Sequence, residues 1–249
     1  MIKGLKFFRD FFNDYQEQYI LIGGSASYLT LQEEGIQFRV TKDLDIIIVI
    51  EVLSKDFVSK FWEFIKIGGY QYVKPSGNIN FYRFQKPTND IFPFMIEILS
   101  REPNVLGKIP EGNIFRMSIE EEIVSLSAIL LNSTYYNFIL ENTRNFDGIN
   151  IVSDLCLIAL KVRAYLDLSN RKKNGETIKS GDIKKHKNDI FRLSQLLSGN
   201  SKISAPKLIV DDIINFINEM RETEISLRDL NIVGTKKYYL DQIEKIFGH

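Results

Sequence analysis

The chain has one cysteine, two histidines, no net charge and no long apolar run, and each shortage removes a class of protein. A single thiol, Cys156, excludes an internal disulfide and fits a reducing compartment. It sits in an apolar helical run and reads as a small buried hydrophobe. Two histidines, His186 and His249, argue against a zinc site built on imidazole. His186 lies in a basic run and is expected at the surface. Lys and Arg number 32 and so do Asp and Glu, so no bulk field draws the protein to nucleic acid or membrane. Any charge argument must be local. No apolar stretch approaches the ~20 residues of a membrane span. The opening MIKGLKFFRDFFNDYQEQ is amphipathic and carries acids, which is not the pattern of a signal peptide. A soluble cytosolic protein with no membrane partner is expected. Internal repeats and low-complexity tracts are absent.

What is present is aromatic: 18 Phe and 11 Tyr within a 44% apolar composition, ample for a core over 249 residues. Leu5, Phe8, Phe11, Phe12 and Tyr15 fall at helical spacing, predicting a helix over 3–18. Strands are expected at 19–22 and 43–50, with a helix near 25–34 ended by Gly35. Ser54 or Asp56 should cap a helix through Ile67, stopped by Gly68-Gly69. Residues 79–86 and 92–99 read as two strands joined by a turn. The segment 123–131 fits either a strand or a helix. Ile149-Asn150-Ile151-Val152 reads as a short strand, and Ser153-Asp154 as the cap of a helix to about Ser169. Helices are expected at 182–198, 206–221 and 236–247. Pro103-Asn104 and Pro110-Glu111-Gly112 divide the chain into a strand-rich part, 1–105, and a mainly helical part, 106–249. The expected fold class is α+β, with a mixed sheet followed by helices that close over a cleft.

The stretch Tyr19–Glu51 carries the chemistry. Gly23-Gly24-Ser25 follows the apolar run Tyr19–Ile22 and precedes a helix. Such a turn offers backbone N–H groups to an anion. Asp43 and Asp45 open the apolar run Ile46–Ile50. Residues two apart on a strand share a face, so these carboxylates lie side by side and call for a counter-charge, usually a divalent cation. Phosphoryl and nucleotidyl transfer use two metals about 3.5–4 Å apart. A third carboxylate often completes the shell or takes the proton from the nucleophile. Glu97, flanked by apolar residues, is the best candidate for that third acid, with Asp90 and Glu51 as alternatives. A salt bridge from Glu97 to Arg83 or Arg101 is the bland reading. Tyr135-Tyr136 reads as core.

These motifs resemble the nucleotidyltransferase superfamily: an apolar strand, Gly23-Gly24-Ser25, a helix, then a strand carrying Asp43-Leu44-Asp45 and a later strand carrying Glu97. Within it the chain is most similar to the AbiEii-type toxin nucleotidyltransferases, through Leu160-Lys161-Val162-Arg163-Ala164 and the segment Lys184–Leu193. The resemblance spans roughly residues 19–197. Phe191-Arg192-Leu193 departs from the family pattern after Asp189, and the last fifty residues match nothing in it. The resemblance implies a nucleotidyltransferase-type core in which Asp43, Asp45 and Glu97 bind Mg²⁺, or Mn²⁺ in its place. It implies that Gly23, Gly24 and Ser25 hold the NTP, that Lys161 contacts phosphates and that Asp189 shapes the pocket. Arg39 and Thr41 stand where the family often has a basic or hydroxyl residue. The implied activity is NMP transfer from an NTP to RNA, a tRNA 3′ end above all, in a toxin or phage-defence role with a cognate antitoxin as partner. A small-molecule, antibiotic-type nucleotidyltransferase is the alternative, and a catalytically silent nucleotide-binding module is the third reading. The stretch 161–207 is rich in Lys and Arg and could grip an RNA backbone.

Overall fold

Aromatic residues bring the chain into the fold. The computed structural model describes residues 2–39, 41–74, 80–107, 114–116, 126 and 129–248. Helix α1 (Leu5–Phe11) gives way to a 3-10 segment over Asn13–Gln18, where a single helix over 3–18 is predicted. Tyr15 breaks the helix with φ −128° and ψ 21°. The break turns the chain so that Phe8 and Phe12 both pack on Tyr19 of the first strand.

Strand β1 (Tyr19–Leu21) runs through Ile22 into α2 (Gly23–Glu33), and β2 (Asp43–Ile48) follows. Helix α3 (Lys55–Gly68) starts where Ser54 accepts the Phe57 N–H and stops at left-handed Gly69, as its caps predict. Four strands come next: β3 (Gln71–Lys74), β4 (Phe81–Gln85), β5 (Met95–Leu99) and β6 (Ile114–Arg116). Helix α4 (Ser133–Glu141) leads to a hairpin of β7 (Thr143–Phe146) and β8 (Ile149–Val152). Then come α5 (Asp154–Lys173), α6 (Ser180–Leu193), α7 (Lys207–Glu222) and α8 (Lys236–Phe247). The Pro110–Gly112 turn and residues 123–125 and 127–128 of the ambiguous segment lie outside the described residues.

One mixed sheet holds all eight strands, in the order β6-β3-β4-β5-β2-β1-β8-β7. β2 pairs antiparallel with β1 and parallel with β5, so the two acid-bearing strands are neighbours. The β7–β8 hairpin extends the same sheet, with β8 parallel to β1. The architecture is thus α+β, a mixed sheet followed by a mainly helical C-terminal region. Among the described residues, no helix is long and apolar enough to cross a membrane.

Strand alternation gives the sheet two different faces. One packs against α1 and α3 through a cluster of rings: Tyr19, Phe57, Phe61 and Phe84 are all buried there. The other face presents Arg83, Glu97 and Asp45 toward α5 and α6. The ring cluster carries one uncompensated polar atom. Tyr19 is fully buried and its hydroxyl has no hydrogen-bond partner among the described residues. An unsatisfied buried hydroxyl costs about 1–3 kcal/mol. Tyr19→Phe should therefore raise stability by about 1 kcal/mol, the low end of that range. A denaturant midpoint that falls instead would show that the hydroxyl is bonded in solution.

Candidate active site

A cavity of about 90 Å³ opens between the second face of the sheet and helices α5 and α6, lined by Gly23, Gly24, Asp43, Asp45, Glu97 and Lys161. These six residues come from β2, β5, α2 and α5. The structure brings these six predicted residues together in one cavity. Arg39, Thr41, Arg83, Lys185 and His186 line it too.

The glycine turn is shaped by Asp45. Gly23 sits at φ +61°, and a Cβ there would collide with the Asp45 carboxylate. The Gly24 N–H donates to Asp45 Oδ2 at 2.9 Å. The start of α2 is thus fastened to the acid strand, and glycine is required at 23 by both dihedral and space. Ser25 behaves differently from its expected nucleotide-binding role. It is fully buried, its hydroxyl donates to the Ile22 carbonyl at 3.1 Å, and it does not line the cavity. As part of the first turn of α2 it turns inward against β1.

Glu97 lies directly opposite Asp45 on β2 and opposite Arg83 on β4. Its Oε1 accepts from Arg83 Nε at 2.7 Å and lies 2.5 Å from a second guanidinium nitrogen. Burial pushes the Glu97 carboxyl well above the usual range, and the neighbouring Asp45 charge adds to that. Arg83 pulls in the other direction without reversing it. The alternatives for a third acid lie elsewhere. Asp90 pairs with Lys3 at the surface, and Glu51 accepts the Tyr136 hydroxyl at 2.7 Å. Among the described residues, no three Asp, Glu, His or Cys side chains are grouped to hold a metal. Asp43 and Asp45 line the cavity, and Glu97 beside Asp45 is engaged by Arg83.

The opposite wall is cationic and rests on one buried acid. Asp189 of α6 is fully buried, 3.2 Å from Lys161 Nζ and 3.3 Å from Arg39. Arg192 reaches its other oxygen at 3.3 Å. Burial alone would raise the Asp189 carboxyl, but Lys161 and Arg39 outweigh it and hold it below the ordinary carboxylate range. Lys161 is itself buried, with its ammonium against both Asp189 and the cavity. Asp189 thus lies behind the wall and fixes the cations that face inward.

His186 corrects the surface expectation: it is buried and lines the cavity. Buried His186, Asp189, Ile190 and Leu193 recur at helical spacing on α6, and that stripe was the available signal. Tyr135 and Tyr136 are buried in the core as expected, with hydroxyls on Asp212 and Glu51. Arg83 was legible only as a partner for Glu97.

Part of the basic stretch is paired within the chain. Arg163 meets Asp212, Arg171 meets Glu176, Lys173 meets Glu219 and Lys207 meets Asp211. Partial burial and the nearby Lys184 pull the Lys187 ammonium below its usual range.

No protein-family model matches the chain, and no curated protein matches it. Among solved structures, the crystal structure of the Megavirus polyadenylate synthase is similar at 14% identity and TM-score 0.43, over 88% of this chain. The chain spans 36% of the length of that protein.

Proposed function

We propose that the chain transfers a nucleotidyl group from an NTP to a hydroxyl acceptor and releases pyrophosphate, as a member of the nucleotidyltransferase superfamily. One observation carries the reading. Asp43 and Asp45, fastened to a glycine turn at a helix N-terminus, share a cavity with a buried lysine held in place by a buried aspartate. An acid pair on one wall and fixed cations on the other is what a metal-bound triphosphate requires.

Asp43 and Asp45 would hold Mg²⁺ or Mn²⁺, and that ion would neutralise charge developing at the α-phosphate during in-line attack. Lys161 and Arg39 would receive the phosphate oxygens. They are oriented by Asp189 before any ligand arrives, so little ordering cost falls on the binding step. The Gly23–Gly24 turn lines the cavity beside the acid strand.

For the acceptor, the resemblance to AbiEii-type toxins favours RNA, a tRNA 3′ end, and a toxin or phage-defence role with an antitoxin partner. The internal pairing of Arg163, Arg171, Lys173 and Lys207 favours the second reading, a small-molecule acceptor, since those charges already have partners. One assay separates them. Each α-labelled NTP is incubated with the protein, Mg²⁺ and total RNA, and in parallel with a panel of hydroxylated small molecules. Label in RNA supports the first reading and label in a small molecule the second. No incorporation with any NTP and either acceptor set would sink the enzyme reading. If RNA is labelled, neutralising Lys172, Lys173, Lys184 and Lys185 should flatten the salt dependence of RNA binding. The log–log slope should fall by roughly 0.7–0.9 for each phosphate no longer neutralised. NTP binding should change little in a variant that keeps Lys185, which lines the cavity.

A further inference from the structure

We infer that this cavity is built for one divalent ion rather than two, with the Arg83 guanidinium supplying the positive charge that a second ion would bring. The inference rests on the reading above and concerns the same site. Its ground is a row of three side chains across three adjacent strands. Arg83 of β4 is paired in register with Glu97 of β5, and Glu97 with Asp45 of β2. Neighbouring strands are about 4.8 Å apart, and all three side chains line the cavity. The order of charge along the row is therefore cation, acid, acid.

A buried carboxyl beside a half-buried one needs a counter-charge. A two-metal site meets that need with a second ion bridged by the third acid. Here the third acid is already engaged. Two guanidinium nitrogens of Arg83 lie on a single Glu97 oxygen, at 2.7 and 2.5 Å. The pair is buried on both sides, with Arg83 5% and Glu97 6% exposed, so solvent does not weaken it. A second dication beside Glu97 would stand against a fixed guanidinium in a poorly screened place. Glu97 also lies directly beside Asp45 in register. It is therefore a positioning residue that acts through Asp45.

Among the described residues, what remains for a metal is Asp43 and Asp45. That set suits one Mg²⁺, which is commonly held by one or two carboxylates with substrate phosphates and water completing the shell. Lys161 and Arg39 on the far wall complete the neutralisation of a triphosphate. Among the described residues, the cavity thus offers one dication site faced by Arg83, Lys161, Arg39 and Lys185.

Counting bound ions tests this without any turnover. The protein is dialysed to equilibrium against Mn²⁺ with the α,β-methylene analogues of ATP, GTP, CTP and UTP in turn. Mn²⁺ and nucleotide retained per chain are then measured. The expected ratio is one Mn²⁺ per bound nucleotide. A ratio of two overturns the inference and leaves the nucleotidyltransferase reading standing. Retention of neither Mn²⁺ nor any nucleotide overturns both. Arg83→Gln should release Glu97 and raise the ratio to two; a folded variant that stays at one removes Arg83 from the role. If that variant does not fold, Arg83→Lys decides, because a retained cation should keep the ratio at one and a rise to two would overturn the assignment.

Discussion

Asp45→Asn will lower nucleotidyl transfer by on the order of a hundredfold or more, the scale of removing one preorganised electrostatic interaction, without lowering thermal stability. The two effects have separate causes. Asp45 has a backbone task, accepting the Gly24 N–H at 2.9 Å, and the Asn amide oxygen can take it over. Its charge bears on Glu97 as well. That charge helps push the buried Glu97 carboxyl upward, second only to burial itself. Removing it relieves the Glu97–Asp45 repulsion, so the melting temperature should hold or rise. Asp43→Asn should lose activity in the same way. The measurement is a thermal melt beside the labelled-NTP assay, with Mg²⁺ as the sole metal. Near-wild-type transfer in either folded variant would falsify the two-aspartate site.

The half of the site carried on strands was legible because strand geometry is short-range. Asp43 and Asp45 two apart before an apolar run already define a face, and β2 bears that face out. Gly23-Gly24 after an apolar strand already defines a turn. The caps at Ser54 and Ser153 likewise act within one helical turn, and both helices begin where those residues predict. Illegible parts depend on partners distant in sequence. Lys173 pairs with Glu219 and Arg163 with Asp212 on α7, so a linear tally of 161–207 overstates the free positive charge. His186 was hidden in a run of lysines whose burial is decided by α5 packing on α6. Strand β7, Thr-Arg-Asn-Phe, has almost no apolar alternation. Its signal lay in the turn instead, since Asp147 and Gly148 both adopt positive φ as a tight hairpin requires. Strand β5 begins at Met95, later than the expected 92, and Pro93 ahead of it has no N–H for the ladder.

Asp189→Asn will destabilise the fold by about 3–5 kcal/mol, the cost of stripping a buried cation of its partner. One fully buried carboxylate faces Lys161, Arg39 and Arg192. Lys161 is the vulnerable one, with 5% of its side chain exposed against 36% for Arg39 and 21% for Arg192. The two arginines can turn toward water, and the lysine cannot. Replacing both partners, Lys161→Met with Asp189→Leu, should therefore recover most of the stability, because apolar substitutes of similar size avoid the buried charge altogether. NTP binding should stay abolished in the double variant, since the ammonium that meets the phosphates is gone. That split separates the structural role of the pair from its ligand role. The pH dependence follows from direction. The folded Asp189 carboxyl titrates below its unfolded value of about 3.9, so its stabilisation is present in full above that value. It is lost only as pH falls through the depressed folded value. The stability gap between wild type and Asp189→Asn should be flat from about pH 8 to about pH 5 and shrink in stronger acid. Urea titrations across that range measure it. A gap below about 1 kcal/mol at neutral pH would be the mark of a hydrated surface pair, and Lys161 would then lose its claim to be held ready for a triphosphate.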